Sequence, residues 1–345
     1  MQLSIFGRGH SPFAVPPFAD YALARMIQGH GRQIAELQRL VETNSLPSAL
    51  CLEGPLGIGK ATLARAFVAQ TLGLSPTQER APLTDHPDIW HFSPTADRPR
   101  LKIAEVREAL LPFVRQAPFT GDRAFVVLED ADTYLGIDQP GLANILLKSL
   151  EEPRAGVHFL LTSSCPERLL DTVRSRTHSI AFGALPADKL DALARANGWP
   201  QWSIALASGS PGIALQLCKH GDAMIPMVST ALAVLLGQLP SLSLGEQAAS
   251  LEADVWLGVC HFGARIALAW SHATFPHSRA VAEALNVGAS DLITLHDALL
   301  ERGGNAACRD LADTWLRWEA LADTTINRRL RLAADIEALR FAHLN

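Results

Sequence analysis

Residues 54–62 read Gly-Pro-Leu-Gly-Ile-Gly-Lys-Ala-Thr, and no other stretch narrows the possible folds so far. Gly54, Gly59 and Lys60 satisfy the phosphate-binding pattern G-x-x-x-x-G-K-[ST], and Ala61 breaks it. Such a loop needs a buried strand before it and a helix after it. Its glycines let backbone N–H groups approach phosphate oxygens, and the helix N-terminus adds a favourable dipole. Ala49-Leu50-Cys51-Leu52 is a short apolar run suited to a buried parallel strand, and Ala61 to Leu72 is helix-forming. The loop therefore stands in the setting it requires.

The same alternation continues. Gly31 to Val41 has helical spacing through Ile34, Leu37, Leu40 and Val41. His86 to Phe92 reads as turn then strand, Ile103 to Val114 as an amphipathic helix with Val106, Leu110 and Phe113 on one face, and Ala124 to Leu128 as a strand. Pro140 to Glu152 reads as a helix stopped by Pro153, Val157 to Thr162 as a fourth strand, and Pro166 to Val173 as a helix. Strands alternating with helices imply a parallel sheet covered on both faces. After Phe182 the strand pattern stops. The expected organisation is an α/β core over 1–182, a small helical module over 183–221 and a helical C-terminal domain over 222–345. The first twenty residues are expected to form an extended lead-in.

With 345 residues and 48% hydrophobic content the chain can bury a substantial core. Its net charge of −5 gives no global attraction to nucleic acid. Five scattered cysteines without a C-x-x-C pair argue against a disulfide framework and fit a reducing cytoplasm. No basic-then-apolar leader is recognisable, so secretion is not expected. The apolar stretch from Ala223 to Leu239 is interrupted by Pro226 and shorter than a membrane span of about 20 residues, so it reads as a buried helix.

Within the loop, Gly54, Gly57 and Gly59 would cradle phosphate and Lys60 would reach the β and γ phosphates. The next side chain normally gives Mg²⁺ a hydroxyl. Ala61 has none, and Thr62 is rotated about 100° round the helix from that position. Acids at the end of the Ala124–Leu128 strand suit magnesium holding and water activation, but Glu129-Asp130 inverts the usual Asp-Glu order. Alone, that pair reads first as acids leaving a strand into solvent and capping a helix, and only second as a magnesium site. Arg174-Ser175-Arg176-Thr177 could present an arginine across a subunit interface, or merely to solvent. Lys102, Arg107 and Arg115 read first as a solvated helix face and second as a surface for DNA.

Taken together, Leu142-Ala143-Asn144-Ile145-Leu146-Leu147-Lys148-Ser149-Leu150-Glu151-Glu152-Pro153, the Pro166-to-Arg176 stretch, Gly29-His30, Leu46 to Leu50, His86-Pro87-Asp88 and Gly209-Ser210-Pro211-Gly212 resemble the bacterial clamp-loader AAA+ subunits of DNA polymerase III. The likeness covers roughly residues 27–215. The C-terminal third matches loosely, through Trp315 to Glu319 and Asn327 to Leu332. The resemblance implies an AAA+ core, a helical lid and a collar that assembles in a five-subunit ring. It further implies a role in DNA replication: helping motor gamma/tau and delta subunits place a sliding clamp on primer-template DNA.

Within that family the resemblance is to the type of subunit that hydrolyses ATP weakly or not at all. Such a subunit gives the arginine of a Ser-Arg-Cys motif, here Arg176, to the neighbouring subunit's ATP site. Thr177 replaces the Cys. Ser163 falls where the family has its first sensor, and Gly212 where catalytic relatives place a sensing arginine. Gly73 to Asp85 contains no cysteine, so the family's four-cysteine zinc module is not expected. ATP or ADP remains the candidate ligand of a degenerate loop. The alternative is a catalytically active gamma/tau-like ATPase, supported by Lys60 and the acidic strand end. A small-molecule phosphotransferase would leave the helical C-terminal third unexplained.

Overall fold

The computed structural model describes residues 29–74, 86–95, 98, 100–137, 140–235 and 237–249, and further on 251, 256, 259, 260, 263, 297, 310–315, 317, 318 and 330–338. The expected N-terminal lead-in and most of the Gly73–Asp85 stretch lie outside them. The described residues divide into two compact units at the Lys189–Leu190 junction.

The first unit is built on five parallel strands: β1 (Ala49–Glu53), β2 (Ile89–Phe92), β3 (Ala124–Leu128), β4 (Val157–Ser163) and β5 (His178–Ala181). Their order across the sheet is β2-β3-β4-β1-β5. This is an α/β core, with β1 and the loop after it between β4 and β5. Residues of β1 pair with β4 from Ala49 opposite Phe159 to Glu53 opposite Ser163. The inner strands are near-continuous apolar runs because helices cover both faces. All of β3 is buried, as is β1 up to Glu53.

Two cores flank the sheet. One face packs Leu37, Leu40, Leu63, Phe67 and Val68 from α1 (Gly31–Glu42) and α2 (Lys60–Thr71) against Leu50, Leu52, Phe125 and Leu160. The other packs Leu142, Leu146 and Leu150 of α5 (Pro140–Glu151) and Val106, Leu110 and Val114 against Val126, Leu128 and Phe159. The stretch from Ile103 to Arg115 is helical in three pieces: α3 (Ile103–Glu105), a π-helical turn Val106–Leu110, and α4 (Leu111–Arg115). Pro112, in the first turn of α4, has no N–H to donate, which suits a change of helical pitch just before it.

Two expectations are corrected. Strand β5 went unrecognised because it is short and at the sheet edge, with only Ile180 buried. The helix expected over Pro166–Val173 is broken. A 3₁₀ turn Pro166–Arg168 and α6 (Asp171–Arg174) flank extended Leu169, which forms an isolated antiparallel bridge with Gly136. That bridge takes the buried Leu169 into the core, which a continuous helix would not allow.

The second unit is helical throughout its described residues: α7 (Ala187–Asn197, which begins just before the junction), α8 (Gln201–Ala207), α9 (Pro211–Leu235) and α10 (Ser241–Ala249). Ser210 precedes α9, its hydroxyl 3.4 Å from the Ile213 N–H, and Pro211 occupies the first turn, where a missing donor is harmless. Helix α9 runs across residue 221 and through Pro226. One core joins Leu206, Leu217, Val228 and Leu232 to Trp256, Trp315, Trp318 and Ile336. Two of these buried indoles have partners: Trp256 Nε1 donates to the Trp318 carbonyl at 2.9 Å, and Trp318 Nε1 to Asp335 Oδ2 at 2.9 Å. No described helix is long and apolar enough to cross a membrane.

Candidate nucleotide site and arginine

The loop between β1 and α2 is held from three sides. The Gly54 N–H donates to the Ser163 carbonyl at 3.2 Å. Gly54 has φ +145°, and a Cβ there would lie 2.2 Å from the Phe182 carbonyl oxygen, so only glycine fits against this neighbouring segment. His30 donates from Nε2 to the Ile58 carbonyl at 3.0 Å and packs edge-on against Phe182. Burial lowers its pKa, against the smaller opposing effect of that hydrogen bond, so the neutral imidazole is the donor. Gly57 (φ +74°) and Gly59 (φ +101°) complete the turn into the helix. A Cβ on Gly59 would meet nothing within 4 Å. The backbone therefore forms a cradle suited to phosphate.

Lys60 is turned onto its own loop. Its ammonium donates to the Gly54 and Pro55 carbonyls at 2.7 Å each and to Ser164 Oγ at 3.1 Å. An ammonium has three donors, so a phosphate could be reached only by exchanging one of these bonds. Burial lowers the Lys60 pKa, with Asp130 and Asp132 opposing. Asp132, buried, accepts from the Ser164 N–H at 3.0 Å.

The acidic strand end splits in two. Glu129 is buried and accepts from His91 Nε2 at 2.9 Å and Ser93 Oγ at 2.8 Å, with Arg65 Nε 3.4 Å away. Burial pushes its pKa up, but these partners outweigh it and hold the carboxylate below its usual range. Its charge is committed to them. Asp130 adopts a left-handed backbone (φ +49°), and its N–H donates to Thr162 Oγ1 at 2.9 Å. Burial first, then Asp132 and Glu129, raise its pKa.

The Ser163 hydroxyl is fully buried without a hydrogen-bond partner, and its neighbour Ser164 is the serine that touches Lys60. Ala61 and Thr62 are half-buried in the first turn of α2. Gly212 lies in the first turn of α9, in the other unit.

Arg176 belongs to a separate cluster. Its Nε donates to Glu151 Oε1 at 2.5 Å, its Nη2 pairs with the same oxygen, and its Nη1 donates to the Thr172 carbonyl at 2.8 Å and lies 3.3 Å from Ser175 Oγ. None of these partners is in the loop.

The residues fit a phosphate but not the magnesium that ordinarily accompanies it. The cradle is formed, whereas position 61 lacks a hydroxyl and the Glu129 carboxylate is spent on His91, Ser93 and Arg65. Sequence reasoning missed His30, His91, Asp132, Ser164 and Glu151 as members of these clusters. For Glu151 a signal existed: two acids at the C-terminal end of a helix oppose its dipole and call for a cation.

Residues 29–186 match a family described as "DNA polymerase III, delta subunit". The chain is 37% identical over 191 residues to DNA polymerase III subunit delta' of Pseudomonas aeruginosa, covering 50% of this chain and 56% of that protein. It is 34% identical over 143 residues to the subunit of the same name from Escherichia coli, covering 40% and 41%. The chain thus spans about half the length of the curated relatives it matches. A DNA polymerase III gamma-subunit-related protein of Thermotoga maritima superposes with a TM-score of 0.46 at 16% identity, covering 89% of this chain and 99% of that one.

Proposed function

We propose, from the match of residues 29–186 to the family described as "DNA polymerase III, delta subunit" and the likeness to subunits named delta', that the protein is a delta-prime-type clamp-loader subunit that does not hydrolyse ATP. It helps load the sliding clamp onto primed DNA during replication and supplies Arg176 to the ATP site of the adjacent subunit. Its partners in a five-subunit ring are the motor gamma/tau subunits and delta, and through the ring the clamp and primer-template DNA, in the cytoplasm. The helical part would serve as lid (183–221) and collar (222–345).

One observation carries the reading. The magnesium side of this chain's own site is dismantled at Ala61 and Glu129, while an arginine with a preorganised guanidinium stands on a partly exposed edge outside it. When ATP is bound next door, its phosphates would bring developing negative charge to that edge. Arg176 can then donate charge-assisted hydrogen bonds to it, with no proton leaving the guanidinium. Such an arginine is worth about 10³–10⁵ in rate where it is the main stabiliser of the transferred phosphoryl group. In this chain's own loop, Lys60 and the backbone N–H groups would hold phosphate oxygens, and Gly54 and His30 would keep the loop in shape. The Glu129 carboxylate is already engaged by His91, Ser93 and Arg65 and so is not free to take part.

The test is Arg176→Ala in the reconstituted complex. We expect DNA-stimulated ATPase and clamp loading to fall at least ~tenfold, short of the full ~10³–10⁵ because the ring's other ATP sites keep their own arginines, with assembly intact. Unchanged activity would remove the proposal. ATP turnover by the isolated chain would favour the motor-subunit reading instead.

A further inference from the structure

We propose that Glu151 is a positioning residue for Arg176: it holds the guanidinium in the free subunit and must be displaced before that arginine can grip a neighbour's anion side-on. The inference rests on the reading of Arg176 given above.

Glu151 Oε1 is shared by Nε and Nη2, the paired donors with which an arginine grips a carboxylate or a phosphate side-on. Nη1 is directed to the Thr172 carbonyl and towards Ser175 Oγ. Of five N–H donors, four are engaged and one, on Nη2, is left over. A phosphate oxygen therefore cannot be gripped side-on until Glu151 lets go, because one fork accommodates one anion. The Thr172 and Ser175 contacts would still orient the guanidinium after the exchange.

Helix energetics do not explain Glu151. It is the last residue of α5, where a negative charge opposes the helix dipole. Arg174, two residues before Arg176, lies 3.6 Å from Asp171 of its own helix. The side chains of Glu151 and Arg176 are 44% and 30% exposed, so the pair is weak enough to be exchanged.

The experiment is a steady-state ATP titration of the reconstituted, DNA-stimulated clamp loader carrying wild-type chain, Glu151→Gln, Glu151→Ala, Arg176→Ala or the Glu151→Gln/Arg176→Ala double variant. Relief of competition lowers the half-saturating ATP concentration about two- to fivefold in the Glu151 variants, the range set by a part-exposed ion pair. The double variant matches Arg176→Ala alone, since nothing is left to release. An unchanged or raised half-saturation in both Glu151 variants, with Arg176→Ala impaired, overturns this inference and leaves the role of Arg176 standing. Failure of both Glu151 variants to fold or assemble overturns it as well, by making the pair structural. Arg176→Ala without effect overturns both readings.

Discussion

Asp130 is strained in two ways that one atom exchange relieves. Its carboxylate is partly buried beside Asp132 and Glu129, which raises its pKa, and its backbone is left-handed, a conformation Asn adopts more readily than most residues. An acid whose folded pKa exceeds its unfolded one destabilises the fold at pH values above both. Asp130→Asn should therefore raise Tm at pH 7 by about 1–2 °C, a modest figure because solvent reaches the group. A thermal scan at pH 7 checks it; a lower Tm would mean that the charge is needed by Lys60. At the same scale, Ala61 implies that Mg²⁺ changes the isolated chain's affinity for ATP or ADP by less than about twofold. A titration with and without the metal measures that directly.

Among the elements, the loop and the β2–β3 connection are where single changes should tell most. Gly54→Ala puts a Cβ onto the Phe182 carbonyl, a backbone atom that cannot swing aside, and should cost about 3 kcal/mol or more. Gly59→Ala meets open space and should cost only the left-handed strain, about 1–2 kcal/mol. Urea unfolding of the two variants compares them, and equal losses would argue against the packing at Gly54. Asp88 clamps the segment before β3. Its carboxylate accepts from the Phe119 N–H, the Thr120 hydroxyl and, at 2.7 Å, the Thr120 N–H. Burial alone would raise its pKa, but these donors outweigh it and hold it low. Asp88→Asn turns an N–H₂ group towards donors and should cost about 2–3 kcal/mol by the same measurement.

Most elements were legible because their apolar periodicities are strong: α2, β3 and α5 begin and end within a residue or two of the pattern. Strand β5 was not, because an edge strand buries a single residue. The break at Leu169 was not, because it depends on a bridge to Gly136, far away in sequence.

At the scale of the whole molecule, the buried imidazole of His30 and the half-buried one of His158 set an acid limb. His30 and His158 stay neutral in the fold: burial lowers both below the usual 6.5, and each donates to a carbonyl, His30 to Ile58 and His158 Nδ1 to Pro47 at 2.9 Å. The unfolded chain takes up protons at these sites near pH 6.5, so it binds more protons than the fold does below that value. Stability present above pH 6.5 is thus lost as pH falls through that value. Glu129 and Asp88, whose folded pKa values are depressed, add a second loss as pH falls below 4.5 and 3.8 respectively. Urea midpoints at pH 7.5 and 5.5 should differ measurably. The difference should shrink in the His30→Gln/His158→Asn variant, whose amides supply donors where Nε2–H and Nδ1–H stood; an undiminished difference would assign the limb elsewhere.

Local chemistry was enough to write the α/β core into this chain. A glycine loop needs a strand before it and a helix after it, and apolar runs of alternating period can be buried only as a parallel sheet under helices. The missing hydroxyl at position 61 is likewise a fact of residue identity. What could not be read along the chain is where charge is spent, because that depends on groups brought together from distant positions. Lys60 closes on Ser164, 104 residues on; Glu129 is held by His91, 38 residues before it; and Arg176 is held by Glu151, 25 residues before it. Electrostatic interaction falls with distance through space and is indifferent to distance along the chain. The residues of the glycine loop, the acidic strand end and the arginine motif were therefore visible in the sequence, while the pairings that keep their charges occupied emerged only when the chain was folded.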